Sequence, residues 1–319
     1  MEIFGGAIED LQDNRDFIAG EIATVSLTPV DELPRHLVFD HRKVTKYSQG
    51  KTMSCTAQSA CNALEITYAN ATGNTIDVPV LDGIGGSLSA WRYQLEVYPR
   101  TGSTSQGDYT SSGFKALVHR SAEEEGVPAL TTDKKVQREI RVKVDAYAKI
   151  EKSVDLFRQW LFAGHSIGIS CNVLRDPDTG ESNFVKARET GWLQFPTNGE
   201  KTGGHAMAFV TGYDFREASG DGYFILAQSY GEDYGALGNG SLNLSANDLD
   251  KLHEGAYVLL LPEHISPEKK QCAKDLASCI SMLRKANTLG WEESEDTKNE
   301  IVEKIAEQIR TCREFLSSE

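Results

Sequence analysis

The chain has 319 residues and carries 47 acidic against 33 basic side chains, a formal net charge of −14. Nucleic-acid binding depends on a basic stripe, and no such stripe appears in the sequence; the acidic balance likewise disfavours anionic lipid surfaces. No apolar run reaches the roughly 18 residues of a membrane span, and the first 25 residues, MEIFGGAIEDLQDNRDFIAGEIATV, lack the apolar core of a signal peptide. Six cysteines (Cys55, Cys61, Cys171, Cys272, Cys279 and Cys312) form no C-x-x-C pair and are too sparse for a disulfide scaffold. A reducing, cytoplasmic setting is therefore expected, with delivery by a non-classical route leaving no readable trace. The sequons at Asn70 and Asn243 read as chance without an export signal.

Residues 1–33 form a short lead that ends near Leu33-Pro34. From Cys55 to about Ala69, residues Ala57, Ala60, Cys61, Leu64 and Tyr68 recur at steps of three and four, one buried helical face, and Ser54 is placed to cap it. A Gly/Asp-rich loop, LDGIGGSLS, follows, then a mixed helical stretch from Ser87 to Tyr98. Gly85-Gly86 does not make a phosphate cradle, because no Lys-Ser/Thr follows. SSGFKALVHRSAEEEG reads as a further helix closed by Gly126. The texture then changes. EIRVKVDAYAKI reads as a strand or strand pair, DLFRQWLFAG as a helix and HSIGISCNV as a buried strand. HAMAFVTGYD, GYFILAQSY and AYVLLLP are short apolar runs bounded by glycine, as strands are. Helices in the first half and strands in the second predict an α+β fold rather than a doubly wound one. After Pro262, apolar spacing through Cys272, Leu276, Cys279, Ile280 and Leu283, then Ile301, Ile305, Ile309, Cys312 and Leu316, predicts a C-terminal helical hairpin. Packing on its own body is the plainer role for that hairpin, and partner binding or self-association the other.

A thiol attacks carbonyls as the thiolate, which a helix N-terminus and a neighbouring imidazolium both stabilise. Cys55 stands at such a helix start, whereas Cys61 falls on the apolar face. His205, in TGGHAMAFVTGYD, sits after two glycines at the mouth of an apolar strand, where a general base can be held rigidly. His36, His41, His119, His165, His253 and His264 have no comparable frame. No second histidine or carboxylate stands at ligand spacing, so neither metal nor cofactor is expected.

The segment LPRHLVFDHRKVTKYSQGKTMSCTAQSA resembles the opening of papain-like cysteine peptidases: Leu-Pro, Asp-x-Arg, then Gln-Gly with Gln49 six residues before Cys55. QSYGEDYGALGNG resembles that family's Asn-Ser-Trp-Gly-x-x-Trp-Gly-x-x-Gly motif, with Gln228, Ser229, Tyr230, Gly231, Tyr234, Gly235 and Gly238 in register. LSAWRYQLEVYPRTG and DYTSSGFKALVHRSAEEEGVP look like helical inserts of its bacterial and viral branch.

The resemblance covers about residues 33–262 and implies two lobes. A helical lobe, 34–150, would carry the nucleophile. A lobe of antiparallel sheet or barrel, 151–262, would carry the histidine, and the hairpin would occupy 263–319. It further implies a peptidase with Cys55 as nucleophile, His205 as its base and Gln49 as an oxyanion donor. Gln228 would be the amide that orients the imidazole, and Tyr230 its shield. The substrate would be a protein or peptide. Transpeptidation, isopeptide cleavage or a degenerate binding protein are the other outcomes for the same site. Thr52, Thr56, Gly204 and Gln228 depart from the family pattern, and the lead is too short for the long inhibitory prosegment of lysosomal members.

Overall fold

A computed structural model describes residues 7–8, 27–39, 48–49, 54–78, 108–132, 137–217, 221–231, 233–236, 240–253 and 255–262, together with 307 and 310. The LDGIGGSLS loop, the stretch from Ser87 to Tyr98 and, apart from 307 and 310, the C-terminal hairpin lie outside the described residues.

In chain order the strands are β1 (Ala7–Ile8), β2 (His36–Leu37), β3 (Ile76–Asp77), β4 (Asp108–Tyr109), β5 (Val127–Thr131), β6 (Glu139–Val142), β7 (Ala146–Ile150), β8 (Gly168–Arg175), β9 (Trp192–Leu193), β10 (Glu200–Asp214), β11 (Tyr223–Ala227), β12 (Ser241–Ser245) and β13 (Ala256–Leu260). The helices are α1 (Cys55–Thr72), α2 (Thr110–Glu123), α3 (Val154–Phe162) and α4 (Asn183–Thr190). None of the described helices is long and apolar enough to cross a membrane.

The main sheet runs β7-β13-β8-β10-β11-β12-β9, with β2 paired to β10, and is antiparallel except where β12 meets β9. Its path does not close into a barrel, so of the two forms expected the open sheet is the one found. EIRVKVDAYAKI is indeed two strands, but they serve different sheets. β6 joins β5 and β3 beside the helices, whereas β7 pairs with β13 in the main sheet.

Alternation along the strands gives the molecule two cores. On β13, Ala256, Val258 and Leu260 face one cluster with Phe157, Trp160, Phe184, Met207 and Phe224. Tyr257, Leu259 and Leu261 face the other, with Ala57, Leu64, Phe114 and Leu117 of α1 and α2. The sheet is thus shared by both lobes, and α1 is packed into their junction. Every residue of α1 from Cys55 to Thr67 is buried. The apolar-face reading of α1 therefore described only part of its environment, because the sheet covers its polar side as well.

α4 was not expected from the sequence. Its 8 residues, NFVKARET, have little amphipathic contrast, and its ends are set by Ser182, whose side chain accepts from the Val185 amide, and by Gly191 at φ 77°.

Candidate active site

Cys55 is the first residue of α1 and is fully buried. Ser54 does not cap the helix as expected: at φ −87° and ψ 12° its backbone is outside the extended region that capping uses. Its hydroxyl instead accepts from Gln58 Nε2 at 2.9 Å. Three contacts fix the start of α1. Ser59 donates to the carbonyl of Met207 on β10 at 2.6 Å. Cys55 packs on Ala206. Gly113 of α2 lies so close that a Cβ there would stand 2.8 Å from the Thr56 carbonyl oxygen.

His205 lies on β10 opposite Cys171 of β8. Its ring stacks on Tyr230, centroids 4.5 Å apart and planes within 10°, and meets Phe184 edge-on at 4.9 Å. The ring is fully buried, and neither nitrogen has a hydrogen-bond partner among the described residues. Burial pushes its pKa from 6.5 down to about 3, so the imidazole is neutral. Alternation along β10 turns Ala206 and Ala208 towards the helices and Met207, with His205, towards the opposite core. Thiol and imidazole are therefore neighbours across one strand, without the hydrogen bond of a formed pair. Burial and, next, the Cys55 thiol push Cys171 upward. Burial and, next, the same thiol push the Tyr230 phenol well above its ordinary range. The Cys55 thiol thus acts electrostatically on both residues beside the imidazole.

Gln49 is buried and stitched to the loop that carries Tyr230. Its amide donates to the Ser229 carbonyl at 2.7 Å, Ser48 bridges to Tyr230, and the Ser229 hydroxyl donates to Gln49 Oε1. That last bond marks the carbonyl end of the side-chain amide, so its NH2 end is the one turned away from Ser229. The loop itself needs Gly235, at φ 88°, where a Cβ would come within 2.8 Å of the Ser241 carbonyl oxygen. Gly238 lies outside the described residues.

The orienting bond expected from Gln228 is not made in this structure. Gln228 Nε2 donates to the Gly240 carbonyl at 2.7 Å, and its Oε1 accepts from the Tyr230 amide at 2.6 Å. The extra methylene relative to asparagine lets the amide fold back onto its own loop. Among the described residues no carboxylate takes its place at the ring: Asp214 is held by Arg216, and Asp221 accepts from Asn247.

A second histidine is better oriented than the sequence indicated. His253 Nδ1 meets Ser170 Oγ at 3.2 Å and Nε2 meets Asn172 Oδ1 at 2.8 Å, while Thr110 donates to Ser170 Oγ at 2.9 Å. Only tertiary pairing reveals this, since 83 positions separate Ser170 from His253.

No family model and no curated relative matches the sequence. Solved structures do match. Xylellain, a cysteine protease from Xylella fastidiosa, is similar at TM-score 0.54 and 16% identity, covering 81% of this chain and 96% of that one. A procathepsin B from Trypanosoma congolense is similar at TM-score 0.53 and 15% identity, covering 80% and 85%. A stem bromelain precursor matches at TM-score 0.50 and 14% identity, covering 81% and 84%. The chain has the two-lobed papain-like fold.

Proposed function

We propose that the protein is a thiol peptidase of the bacterial and viral papain-like type. Cys55 is the nucleophile, His205 the proton carrier and Gln49 a donor to the oxyanion. The observation that carries this reading is the convergence of three separate segments at one helix start. Cys55 packs on the residue next to His205, and Gln49 is bonded to the loop whose Tyr230 stacks on the imidazole.

In the reaction, the Cys55 sulfur attacks the scissile carbonyl and His205 takes its proton, then returns it to the departing amine. The NH2 group of Gln49 and the backbone N–H of Cys55 hold the tetrahedral oxyanion. Water then hydrolyses the acyl-enzyme.

Burial holds the His205 imidazole neutral, so it can accept the Cys55 proton as the sulfur attacks. A second reading, a binding protein that keeps the fold, draws on the unbonded ring nitrogens of His205 and on the backbone bonds of Gln228. An epoxide warhead on a peptide separates the two. Stoichiometric labelling that disappears in Cys55→Ala supports the peptidase, and an unlabelled wild-type chain supports the binding protein.

A further inference from the structure

The site just described has two sides. His205, Tyr230 and Phe184 occupy one face of β10, and the other face carries the Ser170, His253 and Asn172 network, which the reaction above does not use. Antiparallel partners share a face, so Ser170, opposite Ala206, points to the same side as the Cys55 contact. Asn172 follows on that face two residues along β8, about 7 Å farther. Its partner on β10 is Gly204, which puts no side chain in front of it.

The hydrogen bonds fix the chemistry that Asn172 presents. Thr110 donates to Ser170 Oγ, which meets His253 Nδ1. Asn172 Oδ1 can only accept, so His253 Nε2 carries a proton and donates to it. His253 is only 4% exposed, so this relay is rigid. The Asn172 carbonyl is thereby occupied. Its NH2 group makes no hydrogen bond with any described residue, and the side chain is only partly buried.

We propose that Asn172 is a specificity-determining residue of the peptidase site, resting on the function proposed above. Its NH2 group donates to a substrate side chain that ends in an oxygen acceptor, namely Asn, Gln, Asp or Glu. His253 acts as a positioning residue, holding the amide so that its donor end faces the substrate. Ser170 stands opposite Ala206, which Cys55 contacts, and Asn172 is the next residue on that face, so the recognised side chain is one of those flanking the scissile bond. Lysine and arginine are disfavoured there, because two fixed N–H groups meet another donor.

The test is a set of fluorogenic peptides in which each of the two positions on either side of the scissile bond is Gln, Glu, Leu or Lys. Preference is read as a ratio of kcat/KM within each protein, so it does not depend on overall activity. At one position wild type favours Gln and Glu over Leu and Lys by about tenfold, the size of one buried hydrogen bond, and the difference lies mainly in KM. Asn172→Ala levels the ratio, and Asn172→Asp reverses it in favour of Lys. His253→Ala reduces it, and His253→Gln, which keeps a donor for Oδ1, restores it. An unchanged ratio in Asn172→Ala, with Cys55 of the wild-type chain still labelled by the epoxide, overturns this proposal alone. Absence of labelling in the wild-type chain overturns the proposed function and this inference with it.

Discussion

Acidification offers a direct reading of the state of His205. The fully buried imidazole has its pKa pushed from 6.5 down to about 3, so the unfolded chain binds more protons than the native one between those values. Stability from this group is then fully present above the unfolded pKa and is lost as pH falls through it towards the native value. Integrating over that interval, the loss is about 2 kcal/mol between pH 7 and pH 5, and about 5 kcal/mol once both values are passed. The comparison protein is His205→Phe, whose ring fits the aromatic setting of Phe184 and Tyr230 and cannot titrate. Urea unfolding of both proteins at pH 7 and pH 5 measures the difference. Wild type should lose about 2 kcal/mol more than the variant. His165 and His253 are common to both chains and cancel. A formed thiolate–imidazolium pair would raise the imidazole pKa and reverse the slope that this residue contributes. Parallel losses in the two proteins, or a larger loss in the variant, would refute the buried neutral state.

Three substitutions probe the surrounding framework. Gln49→Ala should lower kcat by roughly tenfold to a thousandfold with little change in KM, as expected for a donor to charge that develops late. An effect confined to KM would contradict that role. Gln228→Ala removes two buried bonds to backbone and should cost about 1–3 kcal/mol in urea unfolding, with activity falling because the loop carrying Tyr230 loosens. Lost activity at unchanged stability would instead mean that Gln228 acts on the imidazole itself. Gly113→Ala should destabilise by about 1–3 kcal/mol and slow epoxide labelling of Cys55, since the added Cβ presses on the Thr56 carbonyl. Unaltered labelling kinetics would show that the approach of α2 does not set the position of the thiol.

Local pattern was enough for α1, for α2 closed near Gly126, and for the apolar runs that became β8, β10, β11 and β13, because each carries its period and its glycine stops within a few residues. Motif spacing likewise singled out Cys55, His205 and Gln49, which the fold brings into one neighbourhood. The backbone bond from Gln49 to Ser229 and the stack of Tyr230 on His205 both join segments that the motif had already marked.

What the sequence could not carry was the direction each polar side chain takes once packed. Nothing local distinguishes a Gln228 that reaches the imidazole from one that folds back onto Gly240 and Tyr230. Both conformers satisfy the amide, and the loop geometry chooses between them. The neutrality of His205 follows from the desolvation imposed by the surrounding core, including aromatic side chains from α4 and from the loop after β11, which is a property of the assembled core. The His253 relay depends on β8 lying beside the segment before β13, and only long-range antiparallel pairing supplies that. Periodicity and spacing thus determined which residues could carry chemistry. Tertiary packing decided which face of the strand each one occupies, because alternation is local while register is set by contacts distant in the chain.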